Sequence, residues 1–131
     1  MAKVCYSAAM LKSDRSILML AGLNGLMAVA FGAFTAHGAN DPQVKEWLRT
    51  GALYGLTHAA AALAVTGRSR PAGLLFGLGA LVFAGSLYAM GFGAPRWLGA
   101  VTPAGGLTLI GGWAVVLVTA LRVRDGGDRQ S

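Results

Sequence analysis

The sequence predicts an all-α protein, an integral membrane bundle of four antiparallel helices. Three observations carry this. Hydrophobic residues make up 55% of the 131 and charged residues only 12%, about half the charged share of an ordinary soluble domain. The apolar residues gather into four stretches, at 17–36, 48–65, 72–90 and 103–121, each near the roughly 20 residues that a membrane-spanning helix needs. Between them lie helix-ending and helix-starting residues and nearly all the charge. The mean hydropathy is +0.58.

The first helix, 17–36, carries no charge, and Asn24 is its most polar member. Gly38 is placed to end it as a left-handed C-terminal cap. A cleaved signal peptide is the rival reading. Its apolar region would be too long, since signal peptides carry about 7–15 apolar residues, and bulky Phe34 stands where a small residue is expected. The second helix, 42–66, opens on Asp41-Pro42, an N-cap followed by proline at the first helical position. Its first turns lie in the interface around Trp47, Arg49 follows, His58 falls inside the span, and Gly67 closes it. The third, 71–90, opens at Pro71 and ends in the turn-rich Gly91-Phe92-Gly93-Ala94-Pro95. The fourth, 103–121, opens on Thr102-Pro103, again read as N-cap plus proline. Short connections make neighbours antiparallel, and Trp47 and Trp97 fall where an aromatic belt lies.

The N-terminal tail 1–16 carries Lys3, Lys12 and Arg15, the middle loop Arg68 and Arg70, and the tail 122–131 Arg122, Arg124 and Arg129. These eight basic residues share one side of an even-numbered bundle, against Lys45, Arg49 and Arg96 on the other. The positive-inside rule therefore predicts a multi-pass protein of the cell membrane with both termini cytoplasmic. The net charge of +6 is spread between apolar segments, which is not a basic groove for nucleic acid. A single cysteine, Cys5, excludes an intrachain disulfide.

Lipid tails are as apolar as leucine, so membrane helices associate through small residues that let backbones approach. Such stripes are Ala21, Gly25, Ala28, Gly32 and Ala36 in the first helix, and Gly51, Gly55, His58 and Ala62 in the second. The third has Gly73, Gly77, Ala80 and Ala84, ending at Tyr88, and the fourth Thr108, Gly112, Val115 and Thr119. Packing within the chain accounts for them more simply than dimerisation, because four small-faced helices must pack somewhere. A faint repeat, Gly25-Leu26-x-Ala28-x-x-Phe31 against Gly77-Leu78-x-Ala80-x-x-Phe83, hints at a duplicated hairpin.

His58 is the polar residue of most interest. At ~1.5 Å rise per residue it lies ~15 Å beyond Leu48, close to the bilayer midplane. Tyr54 is one turn earlier on the same face, and Ser86 and Tyr88 of the third helix complete a candidate intramembrane polar cluster. Ionisable groups at this depth are costly and often mark a pathway. The plainer reading is a neutral histidine hydrogen-bonded between helices, since no Asp or Glu lies within any span. His37, at the end of the first helix, can ligate, cap or face water. Two histidines and one cysteine give poor metal spacing. Asn24 and Ser86 suit hydrogen bonds between helices or back to their own backbone. No nucleophile–base pair, phosphate loop or dinucleotide fingerprint is present, so neither catalysis nor a cofactor is expected.

Several motifs together resemble one family. They are Phe31-Gly32-Ala33-Phe34-Thr35-Ala36-His37-Gly38, Tyr54-x-x-x-His58, Phe83-Ala84-Gly85-Ser86-Leu87-Tyr88, Thr102-Pro103-Ala104-Gly105-Gly106 and Gly112-Trp113. Over residues 17–121 the chain resembles domain of unknown function 423, small membrane proteins whose vertebrate relatives are called transmembrane protein 256. Thr35 stands where the family usually has Gly, and Ala84 where it usually has Ser. The resemblance implies a four-helix membrane protein and no agreed reaction, substrate or cofactor.

The function expected is that of a non-enzymatic packing partner or assembly factor among membrane lipids, in a homo-oligomer or a larger membrane complex. The alternative is an oligomeric transporter or channel for protons or a small solute, using His58 and Tyr54.

Overall fold

A computed structural model describes residues 8–127, with side chains described for Lys12 and for 14–123. The chain folds into α1 (Ala8–His37), α2 (Pro42–Val65), α3 (Arg70–Gly91), a short 3-10 helix (Arg96–Ala100) and α4 (Thr102–Gly127). No strand occurs among the described residues. α1 begins well before the apolar stretch at 17, because residues 8–16 contain neither glycine nor proline to stop it. α4 likewise continues past Leu121 through Arg122, Val123 and Arg124.

The caps explain the boundaries. The Asp41 carboxylate accepts the N–H groups of Gln43 at 2.7 Å and Val44 at 3.3 Å, and Pro42 fills the first position, where no donor is needed. Gly67, at φ +77°, takes the left-handed turn that ends α2, a conformation glycine adopts without a Cβ penalty. The Ser69 hydroxyl then accepts the Ala72 N–H at 3.4 Å to open α3.

Two expected caps differ. Gly38 is not left-handed, and its N–H donates to the Phe34 carbonyl at 2.7 Å. Its smallness serves another purpose, because a Cβ there would collide with the Phe34 ring. Thr102 is the first residue of α4 rather than its side-chain cap. The Val101 carbonyl, at the exit of the 3-10 helix, accepts the Ala104 N–H at 3.0 Å, and the Thr102 hydroxyl turns to Ser86 instead.

α3 is the centre of the bundle and packs against all three other helices; α1 and α2 also pack on each other. The core is built around Phe76, Ile17, Leu48 and Asn24, its largest fully buried side chains. Close approach replaces bulk elsewhere. A Cβ on Gly51 would meet the Tyr88 ring at 2.7 Å, and one on Gly55 the Tyr88 hydroxyl at 3.2 Å. Gly73 lies against Ile17 and Gly77 against Leu20, each at 2.8 Å from such a Cβ, and Gly112 against Phe76 at 2.7 Å.

Gly25 does not belong with these, since nothing comes within 4 Å of where its Cβ would be. The buried seam of α1 runs through Asp14, Ile17, Ala21, Asn24, Ala28 and Thr35. That is the alternating three-and-four spacing of a left-handed supercoil, and it leaves Gly25 one residue off the contact line. In α4 the buried seam is likewise Gly105, Leu109 and Gly112; of the expected stripe, Gly112 lies on it and Val115 packs against the core beside it, whereas Thr108 and Thr119 lie off it. Thr108 and Thr119 turn their hydroxyls back to the Ala104 and Val115 carbonyls. Among the described residues the tightest approach between two helices is at Gly105, where a Cβ would sit 2.5 Å from the Phe83 backbone nitrogen.

Three segments, Asp14–His37, Arg70–Gly91 and Arg96–Val123, are long and apolar enough to cross a membrane. α2 is not among them: Lys45, Glu46 and Arg49 sit in its first turns and His58 lies within its apolar stretch.

Candidate functional site

The polar interior centres on His58, which is only 6% exposed. Its Nδ1 lies 2.8 Å from the Tyr54 carbonyl one turn earlier, and the Trp113 indole N–H of α4 reaches its Nε2 at 3.1 Å. An indole nitrogen only donates. Nε2 therefore accepts and is bare, and the single proton of a neutral ring sits on Nδ1, where it donates to the Tyr54 carbonyl. Both ring nitrogens are used.

Aromatic rings enclose this pair. Tyr54 stacks on His58 at 5.9 Å and 12°, Phe76 lies 5.8 Å away, and Trp113 approaches edge-on at 6.1 Å. Phe76 also packs on Trp113 at 4.8 Å. The site thus ties α2 to α4 across the central helix. On the outer face of α2, Leu53, Tyr54, Thr57 and His58 line a cavity of about 240 Å³.

The four residues expected as one cluster lie in three places. Tyr54 meets His58 through its ring and its carbonyl, and it is half-exposed. Ser86 donates to the Phe83 carbonyl at 2.8 Å and pairs with Thr102 at 2.7 Å. With its own proton given to Phe83, Ser86 receives the Thr102 hydroxyl, which fastens the start of α4 to α3. Tyr88 packs its ring on Phe31 at 4.3 Å, with its hydroxyl buried and unpartnered beside Gly55. Asn24 bridges α1 and α3 by donating to the Leu20 carbonyl at 2.8 Å and the Gly77 carbonyl at 3.0 Å.

The remaining motif residues are dispersed. His37 is exposed in the last turn of α1, and Pro103 is exposed in the first turn of α4. A Cβ on Gly32 would lie 3.6 Å from the Ala52 methyl, and one on Gly106 3.7 Å from the Phe83 ring. Trp113, grouped in the sequence only with a family motif, is the partner of His58. The available signal was a tryptophan in the middle of a span, away from any belt, whose N–H requires an acceptor where no water reaches it.

Fold and site define a small helical membrane protein whose interior polar groups join one helix to another. Within that class the chain belongs to the family described as Protein of unknown function (DUF423), whose model matches residues 31–106. It is similar to a UPF0382 membrane protein of Schizosaccharomyces pombe, 35% identical over 79% of this chain and 99% of that one. It is similar to the UPF0382 inner membrane protein YgdD of Escherichia coli, 33% identical over 88% and 96% of the two chains. The UPF0382 membrane protein YwdK of Bacillus subtilis is 34% identical over 80% and 95%. No solved structure matches the chain.

Proposed function

We propose that this protein is a non-enzymatic packing partner or assembly factor in the cell membrane, contributing a rigid helical surface to a larger complex. The observation that supports this best is the state of His58. A histidine that relays protons must release one nitrogen and accept a proton there. Here Nδ1 donates to Tyr54 and Nε2 accepts from Trp113, which is the bonding of a neutral cross-link. Ser86–Thr102 and Asn24–Gly77 do the same work between other helices. Meanwhile Leu26, Val29, Leu107, Ile110 and Leu117 are more than 60% exposed, an apolar exterior suited to lipid or to another membrane protein.

In this reading the chain crosses four times with both termini in the cytoplasm. α2 packs against both α1 and α3, so it lies at the same depth as two helices apolar enough to span. Its charged residues sit in its first two turns, where they reach the interface. Gentle extraction followed by size separation tests the proposal. A second protein at fixed stoichiometry is expected, and a chain that always runs alone or only with itself would contradict it.

The cavity beside Leu53, Tyr54, Thr57 and His58 favours a second reading, in which a proton or small solute passes along α2 in an oligomer. Flux through vesicles containing only this protein distinguishes the two.

A further inference from the structure

At one end of the bundle the chain turns from α2 into α3 beside the last turns of α4. Ser69 stands at that corner between two grooves. The larger, about 410 Å³, runs from Ser69 and Pro71 along Val115, Val118 and Arg122 of α4. The smaller, about 240 Å³, runs from Arg68 and Val65 along Val116 and Val123. Ser69 and Thr119 line both. Each groove therefore has one arginine at its mouth and a valine wall leading toward the bilayer centre.

The charge of this end is lopsided. Among the described residues it carries six basic and two acidic residues, against three basic and two acidic at the other end. Arg68 and Arg122 are exposed, and their long stems let the guanidinium groups reach the headgroup layer. The α3 N-terminus adds the positive end of a helix dipole, whereas α2 and α4 bring their negative ends to the same place. The dipoles thus oppose one another, and the arginines set the sign.

We propose that this corner binds an anionic phospholipid, its phosphate held between Arg68 and Arg122 above Ser69 and Thr119. Its acyl chains run down the two valine-walled grooves. A planar guanidinium matches phosphate oxygens in paired hydrogen bonds. Basic pockets between membrane helices on the positive side recognise anionic headgroups. The valine walls select a lipid over a soluble anion, which would leave them bare.

The test is native mass spectrometry of the full chain in mild detergent with equal amounts of phosphatidylglycerol and phosphatidylcholine. At about fivefold per basic residue near the headgroup, the two arginines give an expected phosphatidylglycerol preference of roughly twenty-five-fold. Arg68→Gln with Arg122→Gln removes it. Lys45→Gln with Arg49→Gln, at the opposite end, keeps it. Arg68→Lys with Arg122→Lys keeps the charge but not the paired hydrogen bonds and retains a reduced preference, which separates lost charge from lost folding. Inorganic phosphate and glycerol 3-phosphate do not displace the bound lipid. Equal retention of the two lipids, a preference unmoved by the double glutamine variant, or displacement by inorganic phosphate would overturn the proposal.

Discussion

A neutral imidazole has one proton to place, and here a neighbour decides where. Because the Trp113 N–H can only donate, a second proton arriving at Nε2 would set two donors face to face across 3.1 Å. Trp113→Phe keeps a ring against Phe76 but removes the donor, and a loss of about 1 kcal/mol is expected, the size of an interhelical hydrogen bond in a membrane. His58→Leu should lose about as much. His58→Gln should lose less, since its amide oxygen can accept the same N–H. Thermal melts in detergent read all three, and wild-type melting of Trp113→Phe would remove this bond from the account. Tyr88 supplies the contrast. Its hydroxyl is buried with no partner, so Tyr88→Phe removes a desolvated polar group and should melt at or above the wild-type temperature. His58 was legible in the sequence as an ionisable residue at mid-depth. Its geometry was not, because a histidine ring folds back toward the preceding turn and meets the Tyr54 carbonyl before the hydroxyl.

Helix contacts are set by which residue sits on the seam, and glycine matters only there. Gly105→Ala places a methyl against the Phe83 backbone, which cannot rotate aside, and should cost about 1–3 kcal/mol. Gly25→Ala meets nothing within 4 Å and should cost nothing. Gly55→Leu, against Tyr88, Ala84 and Ala28, should break the bundle. If Gly105→Ala and Gly25→Ala melted alike, the seam described above would be misplaced. The starts of α2 and α3 were legible because capping chemistry is local: Asp41-Pro42 and Pro71 fix them through their own backbone. The seam of α1 was less so. Small residues recur at 21, 25, 28, 32 and 36, but the partner helix meets 17, 21, 24 and 28. Which of two adjacent lines is buried depends on the angle of the neighbouring helix, and no single helix encodes that. The role of Gly38 was hidden for a similar reason, since the ring it accommodates belongs to the preceding turn.

For the whole molecule, hydropathy places three helices in the bilayer, and packing argues for the fourth. In the proposed orientation the basic residues keep both termini on the cytoplasmic side. Cys5, which lies outside the described residues, is the only thiol and reports the N-terminal side. A membrane-impermeant maleimide should label it only after permeabilisation, and labelling of intact cells would reverse the assigned orientation. The larger question is whether the bundle is a scaffold or a conduit, and His58 decides it. The most direct measurement is proton-driven dye quenching in vesicles, comparing the wild-type chain with His58→Gln at matched reconstitution. A histidine held as a neutral tie between Tyr54 and Trp113 predicts no proton flux in either. A wild-type signal that vanishes in the folded His58→Gln protein would contradict the account and make His58 part of a proton path.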